Sequence, residues 1–233
     1  MESAGGPRWL ILRRKYLLFI LGLLLFLLAL WGLRGGLAPE PEIAPEQLLA
    51  EALEKTASSK SFRYRVEARL GEDGVLSRVE GERQAPDRIH IKGTMYNSPV
   101  EFIQVGDTTY MRDLWTRNWL TLEGNRLVQS ELFVAEFNPL GFLKFKDVAG
   151  TRYGGREKLE DRQMLVLECQ PLLDNSYLEL KYTDFYCKLW IDPGDHRIRQ
   201  AVLEARGPDN KAGLSVGLKL WDYDREMQIN PPV

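Results

Sequence analysis

The residues able to do chemistry are few. Cys169 and Cys187 are the chain's two cysteines, and His90 and His196 its two histidines. Outside the cytoplasm such a thiol pair can close a disulfide. Seventeen residues lie between the cysteines, so the loop is short and a bridge would contribute about 3 kcal/mol. Spacing alone does not establish the geometry a bridge needs, and two buried free thiols are the alternative. The cysteines and histidines are not clustered, so no metal site is expected. His90 sits between Ile89 and Ile91, and on a strand it faces away from both, into solvent. His196 belongs to the turn around Asp192-Pro193-Gly194-Asp195, whose paired acids are accounted for by turn chemistry. Glu157, Glu160 and Asp161 alternate with Arg156, Lys158 and Arg162 and read as a solvated loop. No Ser or Cys stands in a nucleophile context. The expectation is a protein that is not an enzyme and has no cofactor.

What must be positioned instead is apolar. Residues 16–33 read YLLFILGLLLFLLALWGL, without one charge, directly after Arg13-Arg14-Lys15. A helix of that length spans roughly 27 Å, close to the hydrocarbon core of a bilayer. The basic cluster keeps the short N-terminal side in the cytoplasm. Residues 1–15 are then a cytoplasmic tail, 16–33 a transmembrane signal anchor in the cell membrane, and the rest extracytoplasmic. Tyr16 and Trp31 suit the two interfaces. A cleaved signal peptide is the other reading: Gly36-Leu37-Ala38 is a passable cleavage site, although Pro39 follows it.

The tail and anchor up to Ala38 hold five basic residues and one acid, which leaves 26 basic and 32 acidic residues outside, a net charge of −6. A nucleic-acid partner calls for the opposite sign. Residues 34–44 form a spacer in which Pro39 and Pro41 alternate with Glu40 and Glu42, stiff enough to hold a domain just off the membrane. Residues 45–233 are one domain in size, large enough for a real core.

That domain opens with a helix over 45–59, whose Leu48, Leu49, Ala52, Leu53 and Thr56 recur on one face. The period then changes to two. From Phe62 to Leu70 apolar and charged residues alternate strictly, the pattern of a strand with one wet face in an antiparallel sheet. Further strands are expected at 75–83, 88–95, 100–105, 108–112, 118–122, 148–154, 163–169, 185–191, 197–206 and 214–223, with tight turns between many of them. A helical insertion is expected from Arg126 to Phe137 and again over 140–145, broken at Asn138-Pro139; 172–182 is helical in part. The sum is about ten antiparallel strands, and a sheet that long must curl, close or split. Trp115 and Trp119 stand four apart around a turn. They form either an exposed rim that touches lipid or a partner, or a cover over the end of the sheet.

Three stretches carry a resemblance: TASSKSFRYRVEARL from Thr56, KLWIDPGDHRIRQAVLEAR from Lys188, and GLKLWDYDREMQINPP from Gly217. With the order of elements they resemble the LolA/LolB-like superfamily of extracytoplasmic proteins. That group includes lipoprotein carriers, the LppX/LprG lipoproteins and the N-terminal domain of the regulator RseB. The resemblance covers roughly 45–233 and rests on layout and weak motifs. It implies a mainly β (α+β) fold: a strongly curved antiparallel half-barrel with an N-terminal helix and central helices on its concave face. Such a space holds acyl chains or other apolar ligands. Strand alternation nominates Phe62, Tyr64, Val66, Phe102, Leu165, Leu167, Leu189 and Ile191 for the inner face. Leu132, Phe133, Phe137, Phe142 and Phe145 are the lid candidates. The same residues could equally fill a closed core that holds no ligand.

Two functions follow as expectations. One is a tethered binder of a lipid, a lipoprotein acyl chain or another apolar ligand. The other is an envelope regulatory or sensory domain of the same fold, for stress or sporulation signalling, that binds another envelope protein and transports nothing.

Overall fold

The computed structural model describes residues 22–23, 43–71, 74–124, 134–207 and 213–232. The chain divides into two units, Met1–Glu42 and Ile43–Val233. Of the first, Gly22 and Leu23 are described and are helical. The expected tail and the rest of the anchor at 16–33 lie outside the described residues, as does the spacer up to Glu42. Among the described residues no helix is long and apolar enough to cross a membrane. The expected helical stretch at 126–133, with Leu132 and Phe133, also lies outside them.

The second unit begins with helix α1, Pro45–Ala57. Pro45 fits the first turn because its missing N–H would have no helical partner there, and Glu46 complements the positive end of the helix. Its buried face is Leu48, Leu49, Ala52 and Thr56, as the spacing predicts. Six strands follow: β1 Ser61–Leu70, β2 Gly74–Gln84, β3 Arg88–Met95, β4 Ser98–Val105, β5 Thr108–Arg112 and β6 Trp119–Glu123. Two short helices, α2 Val134–Phe137 and α3 Pro139–Phe142, lead into β7 Phe145–Leu159 and β8 Arg162–Leu173. Helix α4, Ser176–Lys181, precedes β9 Thr183–Ile191, β10 Ile198–Arg206 and β11 Leu214–Trp221.

All eleven strands join one antiparallel sheet in the order β6-β5-β4-β3-β2-β1-β11-β10-β9-β8-β7. The sheet is open, with β6 and β7 at its edges. It curls, as so wide a sheet must. Tyr96, in the β3–β4 turn, acts electrostatically on Lys181 and Tyr182 at the end of α4, although four strands, β2, β1, β11 and β10, separate the two hairpins in the sheet order. The chain leaves the sheet at one edge, after β6, and re-enters at the other, in β7. Of the described residues between them, α2 lies against β3 and α3 adds Phe142 to the same core, so both short helices sit on the inner face. Helix α1 covers β7 and β10 from the same side.

The outer face is fixed by charge. Across β1 and β2, Arg63 stands opposite Glu82, Arg65 opposite Glu80 and Glu67 opposite Arg78. All three pairs are bonded, Arg63–Glu82 and Arg78–Glu67 at 2.8 Å. Exposed pairs of this kind are worth about 0.2–1 kcal/mol each. They favour the register that keeps Phe62, Tyr64 and Val66 inward, since a slip of one residue would exchange the faces.

Two expectations are corrected. Phe145 opens β7 and pairs with Leu173 instead of continuing a helix, because the chain there is captured as an edge strand. Residues 156–159 are strand as well, so the solvated loop shrinks to the turn at Glu160-Asp161. Most of β7 is exposed or half-buried, and a strand wet on both sides shows no alternation to read.

Candidate functional site

Alternation along β1 puts Phe62, Tyr64 and Val66 on the inner face, and all three are fully buried. β8 and β9 add Leu165, Leu167, Leu189 and Ile191, also buried. Phe137 from α2 and Phe142 from α3 are buried against the same core, and half-buried Phe102 and Phe145 pack on it. The described inner-face and lid candidates therefore meet in one apolar cluster. The phenyl rings of Phe102 and Phe137 meet edge to face at 5.2 Å between centroids, the arrangement aromatic quadrupoles prefer.

The centre of the cluster is polar, which sequence reasoning missed. Tyr64 lies flat over its cross-strand partner Gly81. A Cβ at Gly81 would come within 2.2 Å of the tyrosine ring. From there the Tyr64 hydroxyl donates to the backbone carbonyl of Glu136 on α2 at 2.7 Å. The Glu136 carboxylate, itself buried, accepts from the Ser77 hydroxyl on β2. Burial pushes the Glu136 carboxyl above its ordinary value, and the Ser77 hydrogen bond only partly opposes it. Burial likewise pushes the Tyr64 phenol well up, with the nearby Glu136 charge adding to it. Two bonds to one residue thus hold α2 on the sheet. The Asn138 side chain then caps α3, accepting from the Gly141 N–H at 3.0 Å.

Gly81→Ala is expected to cost about 1–3 kcal/mol, because the methyl group forces Tyr64 off its position. The urea midpoint measures this, and an unchanged midpoint would contradict the ring's placement. The sequence held two signals for this site: an acid inside the apolar run around Phe133 and Phe137, and a small residue on the inner face of β2.

A cleft of 270 Å³ opens beside Phe137 and Asn138, lined also by Arg83, Asp87, Arg88 and Gln104. Arg83 stacks over the Phe62 ring at 5.5 Å, and burial holds its guanidinium below the ordinary value. Cys169 and Cys187 stand directly opposite each other on β8 and β9. Both are buried free thiols. Their shared hydrogen bond, then burial, pushes the Cys187 thiol well up. His90 lies 3.3 Å from Glu101 on the neighbouring strand, and His196 lies 3.0 Å from Glu51. Among the described residues no three His, Cys, Asp or Glu side chains are grouped as metal ligands.

This architecture has known counterparts. The lipoprotein LppX of Mycobacterium tuberculosis superposes with a TM-score of 0.58 over 80% of this chain and 100% of its own, at 16% identity. LprF of Mycobacterium bovis gives 0.54 over 84% of this chain and 99% of its own, at 14% identity. The fold of this chain is the LppX-like fold that the sequence resemblance implied. No family model matches the chain, and no curated protein matches it in sequence.

Proposed function

We propose that a domain with the LppX-like fold, here residues 45–233, binds an acyl chain or similarly apolar ligand between its sheet and the α2–α3 segment. The observation that carries this reading is that, among the described residues, two very short helices close the apolar face beside Tyr64. Helices α2 and α3 have four residues each, too short to be stable alone. They stay down through Phe137, Phe142 and the bonds to Glu136. Uncovering two phenylalanines costs about 3–6 kcal/mol. A chain of twelve methylenes taking their place returns about 10 kcal/mol at roughly 0.8 each. Exchange of lid for ligand is therefore favourable in sign, and the role is binding without a reaction.

The likeness to a lipoprotein fold supports this reading without naming the ligand. The apolar run at 16–33 adds a membrane tether to the proposal. Eleven residues, 34–44, separate it from the domain and reach about 40 Å at most. A domain so held exchanges ligand near its own membrane and does not cross an envelope as a free carrier.

Native mass spectrometry of purified residues 39–233 tests the binding itself. A lipid-sized adduct that organic extraction removes is expected. A domain that is ligand-free as purified and takes up no added fatty acid would sink the reading. Phe137→Asp and Phe142→Asp are each expected to lower the amount of ligand bound at equilibrium at least about tenfold, since a carboxylate on the segment that covers the ligand must be desolvated against an apolar chain. Normal uptake by both would remove α2–α3 from the mechanism.

A further inference from the structure

In an antiparallel sheet the turns alternate between its two ends. The β1–β2, β3–β4, β5–β6, β8–β9 and β10–β11 connections therefore share one end, and the β2–β3, β4–β5, β7–β8 and β9–β10 turns share the other. The exposed large apolar side chains of the domain are not spread evenly between them. Tyr96, Leu114, Trp115, Leu172 and Leu180 belong to the first end, as do Leu70 and Val75 beside the β1–β2 turn, while Leu120 and Leu122 lie along the edge strand β6. The turns 85–87, 106–107, 160–161 and 192–197 at the other end expose none.

Two of these side chains are nearly free of protein contact: Trp115 is 87% exposed and Leu180 86%. Neither position is needed by the core. The β5–β6 turn is built by Asp113, whose carboxylate accepts from the Trp115 and Thr116 N–H groups and the Thr116 hydroxyl. That geometry would serve any residue at 115, yet a tryptophan stands there. Tyr96 sits in the β3–β4 turn at φ 47°, a conformation that favours Asn or Gly and costs a bulky residue energy. Its aromatic ring is therefore not explained by local stability.

Each apolar tip carries a cation. Arg117 follows Trp115, and Lys181 follows Leu180; among the described residues neither forms an ion pair with a carboxylate. Lys181 lies 4.7 Å over the Tyr177 ring, and Arg112 lies 5.1 Å over Trp119. Amphipathic rings with cations beside them, on separated protruding tips, match the interfacial region of a bilayer, where aromatic bodies sit at headgroup depth and cations meet lipid phosphates. A rigid protein partner would call for one contiguous apolar patch instead.

We propose that this end of the sheet is a membrane-contact face, with the Trp115 tip and helix α4 seated in the interface of a bilayer that contains anionic lipid. The chain before Ile43 supplies the occupant: an uncharged apolar run ends ten residues earlier, at Leu33, close enough in the chain to reach the same bilayer. The proposal does not depend on what the interior of the domain holds.

The test uses the full chain in nanodiscs of brominated phosphatidylcholine, with or without phosphatidylglycerol. The emission difference between wild type and Trp115→Phe isolates Trp115. In discs with phosphatidylglycerol that difference is expected to be quenched by the bromines. The quenching should weaken about fivefold for each of Arg117→Gln and Lys181→Gln, as one lost cation near an anionic surface implies. Substitutions at such exposed positions leave folding intact. Leu180→Cys labelled with an environment-sensitive dye gives a second readout, because Cys169 and Cys187 are buried. A blue shift on reconstitution is the expected result. Quenching equal in both disc types would keep the bilayer and overturn the anionic preference. An unquenched Trp115 with an unshifted label would overturn the proposal and leave these tips to a protein partner. Five tryptophans remain in Trp115→Phe, so the further variant Trp9→Phe/Trp31→Phe shows how much of the persistent quenching comes from the apolar run.

Discussion

Tyr64→Ala is expected to destabilise the domain by about 3–5 kcal/mol, the range for removing a large buried aromatic ring. The ring is fully buried between Gly81 and α2, and its neighbour Phe62 meets it edge to face at 6.1 Å. No side chain stands at position 81 to refill the space. Tyr64→Phe separates packing from bonding. It keeps the ring and removes the donor to the Glu136 carbonyl at 2.7 Å. Leaving a buried acceptor unpaired costs about 1–3 kcal/mol. That loss falls on α2, so ligand uptake by Tyr64→Phe should be faster than by wild type while the sheet stays intact. Urea unfolding measures the stabilities, with an unchanged m-value as the sign that the fold is the same. A Tyr64→Ala domain of wild-type stability would refute the buried anchor.

The second large effect is a pH dependence carried by Glu136. Burial pushes its carboxyl above the ordinary value of 4.5, so the folded state binds this proton more tightly than the unfolded chain does. The stabilisation from protonation is fully present below the ordinary value and is lost as the pH rises through the folded-state value. Glu136→Gln keeps an acceptor for Ser77 and carries no charge. It should therefore be more stable than wild type at neutral pH, with an advantage that shrinks toward low pH. The difference between the two proteins is the useful quantity, because other carboxylates oppose the trend. The Lys188 hydrogen bond holds Glu157 below its usual range, and turn hydrogen bonds and Arg199 hold Asp192 down against its burial. Those groups stabilise at higher pH, and their contribution fades as the pH falls. Urea midpoints of both proteins from about pH 4 to 8 decide the matter. A difference that does not vary with pH would show that Glu136 binds its proton no more tightly in the folded state than in the unfolded chain.

Residues in strands with one wet face were legible. Phe62, Tyr64 and Val66 alternate with Arg63, Arg65 and Glu67, and the structure keeps that division of faces. The same holds for Leu165 with Leu167 and for Leu189 with Ile191. Phe137 and Phe142 were legible as apolar helical residues near a proline break. Residues 156–159 were not, because an edge strand exposed on both faces has no periodic signature. Glu136 was not, because a glutamate is normally solvated, and the residues that reverse that expectation lie on β1 and β2. Trp115 was open to two readings. A tryptophan normally buries most of its area, and only the geometry of the Asp113 turn shows that this one does not.

The sequence by itself determined the local elements: where the period changes from helix to strand, where Gly, Asp and Pro turn the chain, and which side of each strand is apolar. Those properties depend on neighbours a few residues away, so a single chain displays them. Tertiary structure alone decided that Ser77 meets Glu136, that Tyr64 lies on Gly81, that Cys169 faces Cys187, and that the exposed aromatics gather at one end. Each of these depends on register and on the curl of an eleven-stranded sheet. Register and curl are set by all the pairings together, and no local stretch of sequence encodes them.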